Sequence, residues 1–95
     1  MSVVVTRHKA LVQYLLQCGL VPEGTPVLTH ATAEQVRGKH VFGVLPLRLA
    51  CLAAKVTEVP LNLPAELRGQ ELTLQQVEAY AQPMATYVVT GVAHG

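Results

Sequence analysis

Ser2-Val3-Val4-Val5-Thr6-Arg7-His8 is the stretch on which the fold turns. The three consecutive valines of Ser2 to Thr6 leave no polar alternate position for a solvent face, so this run suits a central strand of a parallel sheet, covered on both sides. Directly after it, Ala10, Leu11, Tyr14, Leu15 and Cys18 recur at the spacing of an amphipathic helix, and Gly19 is placed to end that helix. A buried strand passing straight into a helix opens an alternating α/β chain.

The alternation continues downstream. Residues 21–25, with Pro22 and Gly24, form a loop before a short strand from Pro26 to Thr29 that ends at His30. Thr32 and Gln35 have capping-box spacing, which predicts a brief helix through Val36, stopped by Gly38. His40 to Leu45 reads as the third strand. Pro46 then stands where a first helical residue is preorganised, and Leu47, Ala50, Cys51 and Ala54 make the inward stripe of a helix over 46–54. Leu49, Leu52 and Ala53 leave that helix apolar nearly all round, so it is expected to be deeply buried or packed on a second chain. Val56 to Leu61 reads as a fourth strand with Pro60 near its end, and residues 62–71 as a long loop. Thr73 and Gln76 repeat the capping-box spacing ahead of Leu74, Val77, Tyr80 and Ala81; Pro83 closes this helix, and Thr86 to Val92 supplies a last strand. The whole implies an α/β fold over residues 1–95 as one Rossmann-like domain, a mostly parallel sheet flanked by helices.

Composition narrows the function classes. A chain this short buries only about 60–65% of its unfolded surface, yet 51% of its residues are hydrophobic and 14% charged. That excess of apolar material points to a partner subunit, a homodimer being the simplest. A net charge of +1 excludes a protein that coats long nucleic acid by counterion release. Cys18 and Cys51 form no CxxC pair, lie on expected helix faces and follow no export signal, so a reduced, cytoplasmic protein with two buried thiols is expected. Arg48 and Lys55 interrupt the longest apolar run, which leaves no membrane span.

In an open α/β sheet, ligands meet the carboxyl ends of the strands, where helix N-termini also point free amides. The residues expected there are Thr6, Arg7 and His8, then Thr29 and His30, then Leu45, Pro46, Leu47 and Arg48, then Asn62. Guanidinium, imidazole and hydroxyl groups beside exposed amides make an anion pocket, and phosphate is the commonest biological anion of that shape. With no carboxylate among them and no HxH or HxxxH spacing, no metal ligand set is expected and a metal-free, cofactor-free chemistry is favoured. GxGxxG, GxxxxGK[ST] and GxSxG are all absent. Each candidate also has a plainer role: Arg7 as a solvated loop charge, His8 as a capping or surface residue. Arg48 sits at the unfavourable end of its helix dipole, to be offset by a bound anion or by a carboxylate such as Glu66. His30, His40 and His94 read as structural or exposed, His30 being the exception its position allows, and Tyr14, Tyr80 and Tyr87 as core, with Tyr87 able to reach an edge.

Three segments together, Val5-Thr6-Arg7-His8, the GxLPxxLA run from Gly43 to Ala50, and the LPAExRGxEL run from Leu63 to Leu72, resemble a small family of accessory proteins of type III CRISPR systems. Members of that family are similar to ring nucleases, which degrade the cyclic oligoadenylate messenger of the antiviral response. The resemblance implies a CARF-like version of the fold and a homodimer whose two-fold axis matches that of an even-membered ring. It implies metal-independent attack of the ribose 2′-hydroxyl on the adjacent phosphate, with Arg7 and His8 as catalytic residues. Thr6, Leu45, Pro46, Arg48 and His30 would serve as ligand-binding residues. A protein that only sequesters the cyclic nucleotide, and an adaptor docking through the 46–54 helix, are the alternatives.

Overall fold

The computed structural model describes residues 1–92 of the chain. His94, and with it the reading of that residue, lies outside the described residues. Five strands form one sheet in the order β2-β1-β3-β4-β5: β1 Ser2–Val5, β2 Val27–Leu28, β3 His40–Gly43, β4 Lys55–Glu58 and β5 Ala85–Tyr87. The first three pairings are parallel and β4 with β5 is antiparallel. The helices are α1 Lys9–Gln17, α2 Ala33–Val36, α3 Leu47–Ala50 and α4 Leu74–Tyr80, with a short 3-10 turn at Ala65–Leu67.

The valine run occupies the middle of the sheet because its side chains are consumed on both faces. Val4 and Phe42 pack with Ala10, Leu11 and Leu15 of α1 and Val77 of α4. Val3, Val41 and Val56 pack on the opposite face with Val36 of α2 and Leu49 and Ala50 of α3. Alternate residues of each strand thus feed two separate apolar layers, the arrangement that a strand without a polar face requires. Both expected capping boxes form, Thr32 with Gln35 and Thr73 with Gln76.

Several boundaries differ from the sequence reading. The 46–54 helix is a single turn, Leu47–Ala50, with Pro46 as its N-cap. Beyond it the backbone bonds go elsewhere: the Gly38 N–H donates to the Leu52 carbonyl at 3.0 Å and the Ala54 N–H to the Lys39 carbonyl at 2.8 Å. The crossover has only residues 44–54 in which to return to the start of the sheet, where Lys55 pairs with His40, so tertiary backbone bonds replace helical ones. Leu47 and Ala54, expected to face inward, are exposed, while Leu49, Ala50 and Ala53 are buried. Strand β4 starts one residue earlier and stops at Glu58, short of Leu61. The last strand ends at Tyr87 rather than Val92. The two thiols are not buried: Cys18 is exposed and Cys51 half-buried. Among the described residues no helix is long and apolar enough to cross a membrane.

Candidate functional site

Strands β1 and β3 are neighbours, but the chain leaves them in opposite senses. After β1 it enters α1 on one face of the sheet, and after β3 it enters α3 on the other. Diverging connections of this kind open a crevice at the carboxyl ends of the strands, the place where open α/β sheets bind ligands. Gly43 makes the crevice possible. It has φ 137°, and a Cβ there would overlap the carbonyl oxygen of Val5 and stand 3.0 Å from its carbonyl carbon. Only glycine lets the two strand ends close so tightly while their connections part.

Three residues link β1 to α1. The Thr6 hydroxyl accepts from the His8 N–H at 3.1 Å, folding the link into a compact turn. His8 is the N-cap of α1 but makes no side-chain cap, and the first turn of α1 contains no acidic residue. The first backbone bond of the helix runs from the Leu11 N–H to the His8 carbonyl at 3.1 Å. The earlier amides of α1 therefore face the rim beside Arg7, His8 and Lys9, a positively biased end that suits an anion.

The rim holds a row of adjoining recesses. One, of about 280 Å³, is lined by Thr6, Arg7, His8, Thr29, Gly43 and Val44 among others. A second, of about 270 Å³, is lined by His30, Leu45, Pro46 and Arg48 and shares Val5, Thr29 and Val44 with the first. All seven sequence-derived site residues therefore stand on one rim, divided between two recesses that meet at Val44. Arg7 and Arg48 are exposed. Among the described residues the one ion pair is Arg37–Glu34 at 2.8 Å, so neither rim guanidinium is paired and Glu66 does not neutralise Arg48. Because α3 is one turn long, few peptide dipoles add up, and Arg48, the second of its four residues, meets no strong dipole that needs an offset.

The sequence reading missed two carboxylates. Glu58 ends β4, so it reaches the rim that was expected to hold no acid, and it lines a third recess of about 500 Å³ with Val44, Leu47, Tyr87 and Val88. Glu71 enters from the 62–71 loop and lines a fourth recess, of about 490 Å³, with Arg7, His8, Gly69 and Gln70. Nothing in a loop's sequence says which strand end it will visit, whereas Glu58 was concealed by placing the end of β4 three residues late. Asn62, expected on the rim, follows Leu61 of the Arg7 recess, and its backbone N–H donates to the Tyr80 carbonyl at 2.9 Å. No group of three or more His, Cys, Asp or Glu is assembled to hold a metal among the described residues.

Away from the rim, His40 begins β3 half-buried, its Nε2 2.6 Å from the Thr57 hydroxyl, which is in turn 2.7 Å from that of Thr86. Burial lowers the imidazole pKa below its ordinary value, with help from Lys55 and the N-terminal amine. This chain of groups is a structural strut at the opposite end of β3.

The model of one protein family, described as "Putative CRISPR-associated protein (Cas_VVA1548)", matches residues 3–90. No curated protein and no solved structure matches the chain.

Proposed function

The chain belongs to this CRISPR-associated family, and from that premise we propose that it is a ring nuclease that binds and cleaves a cyclic oligoadenylate, cyclic tetra-adenylate being the expected form, and so switches off type III CRISPR signalling. The observation that supports the reading best is the β1/β3 crevice, where the unpaired Arg7, the imidazole of His8 and the uncapped start of α1 surround one recess. In the neighbouring recess Arg48 and His30 offer a second cationic position for a phosphodiester chain.

In the proposed reaction the ribose 2′-oxygen forms a bond to the adjacent phosphorus while the bond from phosphorus to the 5′-oxygen breaks. The products are a linear oligonucleotide with a 2′,3′-cyclic phosphate at one end and a 5′-hydroxyl at the other. The 2′-hydroxyl loses a proton and the departing 5′-oxygen gains one, so no external nucleophile is consumed. Arg7 stabilises the charge that builds on the equatorial phosphate oxygens. His8 moves a proton, since an imidazole ring can both donate and accept one. Glu71, lining a recess with His8, is the second candidate for proton movement. Thr6 and the backbone from Leu45 to Pro46 fix the ribose and phosphate in line. A ring of even size has two-fold symmetry, so a homodimer would present the same rim to opposite halves of it.

The test is incubation of the chain with labelled cyclic oligoadenylates in EDTA, with chromatography of the products. Linear products ending in 2′,3′-cyclic phosphate are expected in the chelator. Arg7→Ala and His8→Ala should each slow single-turnover cleavage at least ~100-fold. Cleavage by both variants at the wild-type rate sinks the assignment, and recovery of intact nucleotide from denatured complex identifies sequestration instead.

A further inference from the structure

The recess along β4 and β5 is not used by the phosphate chemistry above, and its construction is unlike that of the rest of the rim. Val56, Glu58, Ala85 and Tyr87 pair across the β4–β5 ladder, Val56 with Tyr87 and Glu58 with Ala85. They share the sheet face that α3 covers elsewhere, as the packing of Val56 against Leu49 and Ala50 shows. Because α3 is one turn long, it leaves this end of the face unroofed. The result is a concave space of about 500 Å³, within the roughly 300–1,000 Å³ of small-molecule sites.

Its walls are apolar and open: Val44 is 71%, Leu47 76%, Tyr87 51% and Val88 76% exposed. Among the described residues Glu58 is the one charged residue in its lining, and it is half-buried. Val44 and Leu45 also line the recess of Arg48, so the two spaces adjoin across a shared wall.

We propose that this recess is a nucleobase subsite for an adenine whose phosphate lies at the adjoining Arg7–Arg48 rim, with Tyr87 as the stacking platform and the Glu58 carboxylate accepting from the exocyclic amine. The proposal rests on the ring-nuclease reading for the identity of the base, and on the geometry alone for the existence of the subsite. A flat heterocycle matches an apolar cleft with one exposed aromatic wall, and base stacking on such a ring is tolerant of how the ring is presented. The carboxylate supplies the polar discrimination. Being an acceptor only, it favours an amine and repels a carbonyl at the same position. A second copy of this chain is the poorer occupant. A two-fold contact centred here would bring two Glu58 carboxylates into an apolar seam with no cation among the described lining residues, and that desolvation has no offset from them.

The experiment has a ligand arm that needs no catalysis. In methyl-labelled protein, AMP is expected to shift the methyl resonances of Val44, Leu47 and Val88, whereas ribose 5-phosphate, which lacks the base, is expected to leave them in place. IMP, which carries a carbonyl where AMP carries its amine, should bind at least ~10-fold more weakly than AMP, and Glu58→Gln, whose amide can donate to that carbonyl, should close the gap. Tyr87→Ala should weaken binding of cyclic tetra-adenylate by roughly 5- to 150-fold, while Tyr87→Phe, which keeps the ring, retains it. Both variants should keep the wild-type melting temperature, because the side chain is half exposed at the sheet edge. Equal shifts with ribose 5-phosphate, IMP binding as well as AMP, or methyl signals that move on concentration of the protein alone would each overturn the subsite. If AMP shifts the methyls as stated but no cyclic oligoadenylate is cleaved, the subsite stands and the nuclease reading falls.

Discussion

Replacing Gly43 by alanine tests whether the crevice depends on the close approach of β1 and β3. Two costs combine. An L-residue at φ 137° occupies a region that only glycine enters freely, at about 1–3 kcal/mol. The new methyl also overlaps the Val5 carbonyl, backbone that cannot rotate aside, so the last rung of the β1–β3 ladder must open; overpacking of this kind costs a further ~1–3 kcal/mol. A total of roughly 3 kcal/mol or more should lower the thermal midpoint by about 12–24 °C, at 4–8 °C per kcal/mol for a domain of this size. Circular dichroism at the helix band reads it directly. Gly91→Ala is the matched control, since its methyl would meet Cys51 Sγ at 3.6 Å, an ordinary contact, and should stay within about 0.5 kcal/mol of wild type. A Gly43→Ala protein that melts within ~1 kcal/mol of wild type would show that the strand ends can part at little expense, and the account of the crevice given above would be wrong.

Four other outcomes follow from the same structure. Thr57→Val removes the hydroxyl that joins His40 to Thr86 and should cost about 1–3 kcal/mol in urea unfolding, because the half-buried His40 loses its partner. His40 has a folded pKa below its ordinary value, so the unfolded chain takes up the proton first as pH falls. Its stabilising share is present above ~6.5 and is lost as pH drops through that value toward the folded pKa; urea midpoints compared above and below that window should converge when His40→Gln is made. Arg48→Ala should leave stability within about 0.5 kcal/mol, since the side chain is exposed and unpaired, yet weaken cyclic tetra-adenylate binding and flatten its salt dependence. Thr73→Ala, which breaks a formed capping box, should cost ~1 kcal/mol in thermal unfolding.

The fold was legible wherever one residue pattern had a single physical solution. Three adjacent valines can be satisfied only between two apolar layers, and Val3 and Val4 do enter different ones. Thr32 with Gln35 and Thr73 with Gln76 carry their own hydrogen-bond partners, so both helix starts were local matters and both form. Most failures lie where a distant partner decides. Residues 51–54 have good helical composition, but the parallel register of β4 on β3 draws Ala54 to Lys39. Likewise Val88 to Val92 has strand composition, yet β5 ends at Tyr87, where its pairing with Val56 ends. Cys18 reads as a stripe residue and turns out to be the helix C-cap, past the last turn that faces the core.

For the site, the same distinction has a sharper consequence, because a strand's last residue determines what reaches the rim. Strands β1 and β3 were ended within two residues of their true limits, and their cationic and glycine-bearing connections fell at the switch point as expected. Strand β4 was carried three residues too far. Pro60 has no N–H to give, and its carbonyl instead accepts from Gln82 at 2.8 Å, so the ladder stops at Glu58. That shift moves a carboxylate from mid-strand to the rim and leaves it facing an apolar recess beside Tyr87. A phosphate cradle is written in the residues themselves, since guanidinium and imidazole groups have that chemistry wherever they stand. A base-reading pocket is written only in register, because a glutamate next to a tyrosine across two antiparallel strands has no signature along the chain.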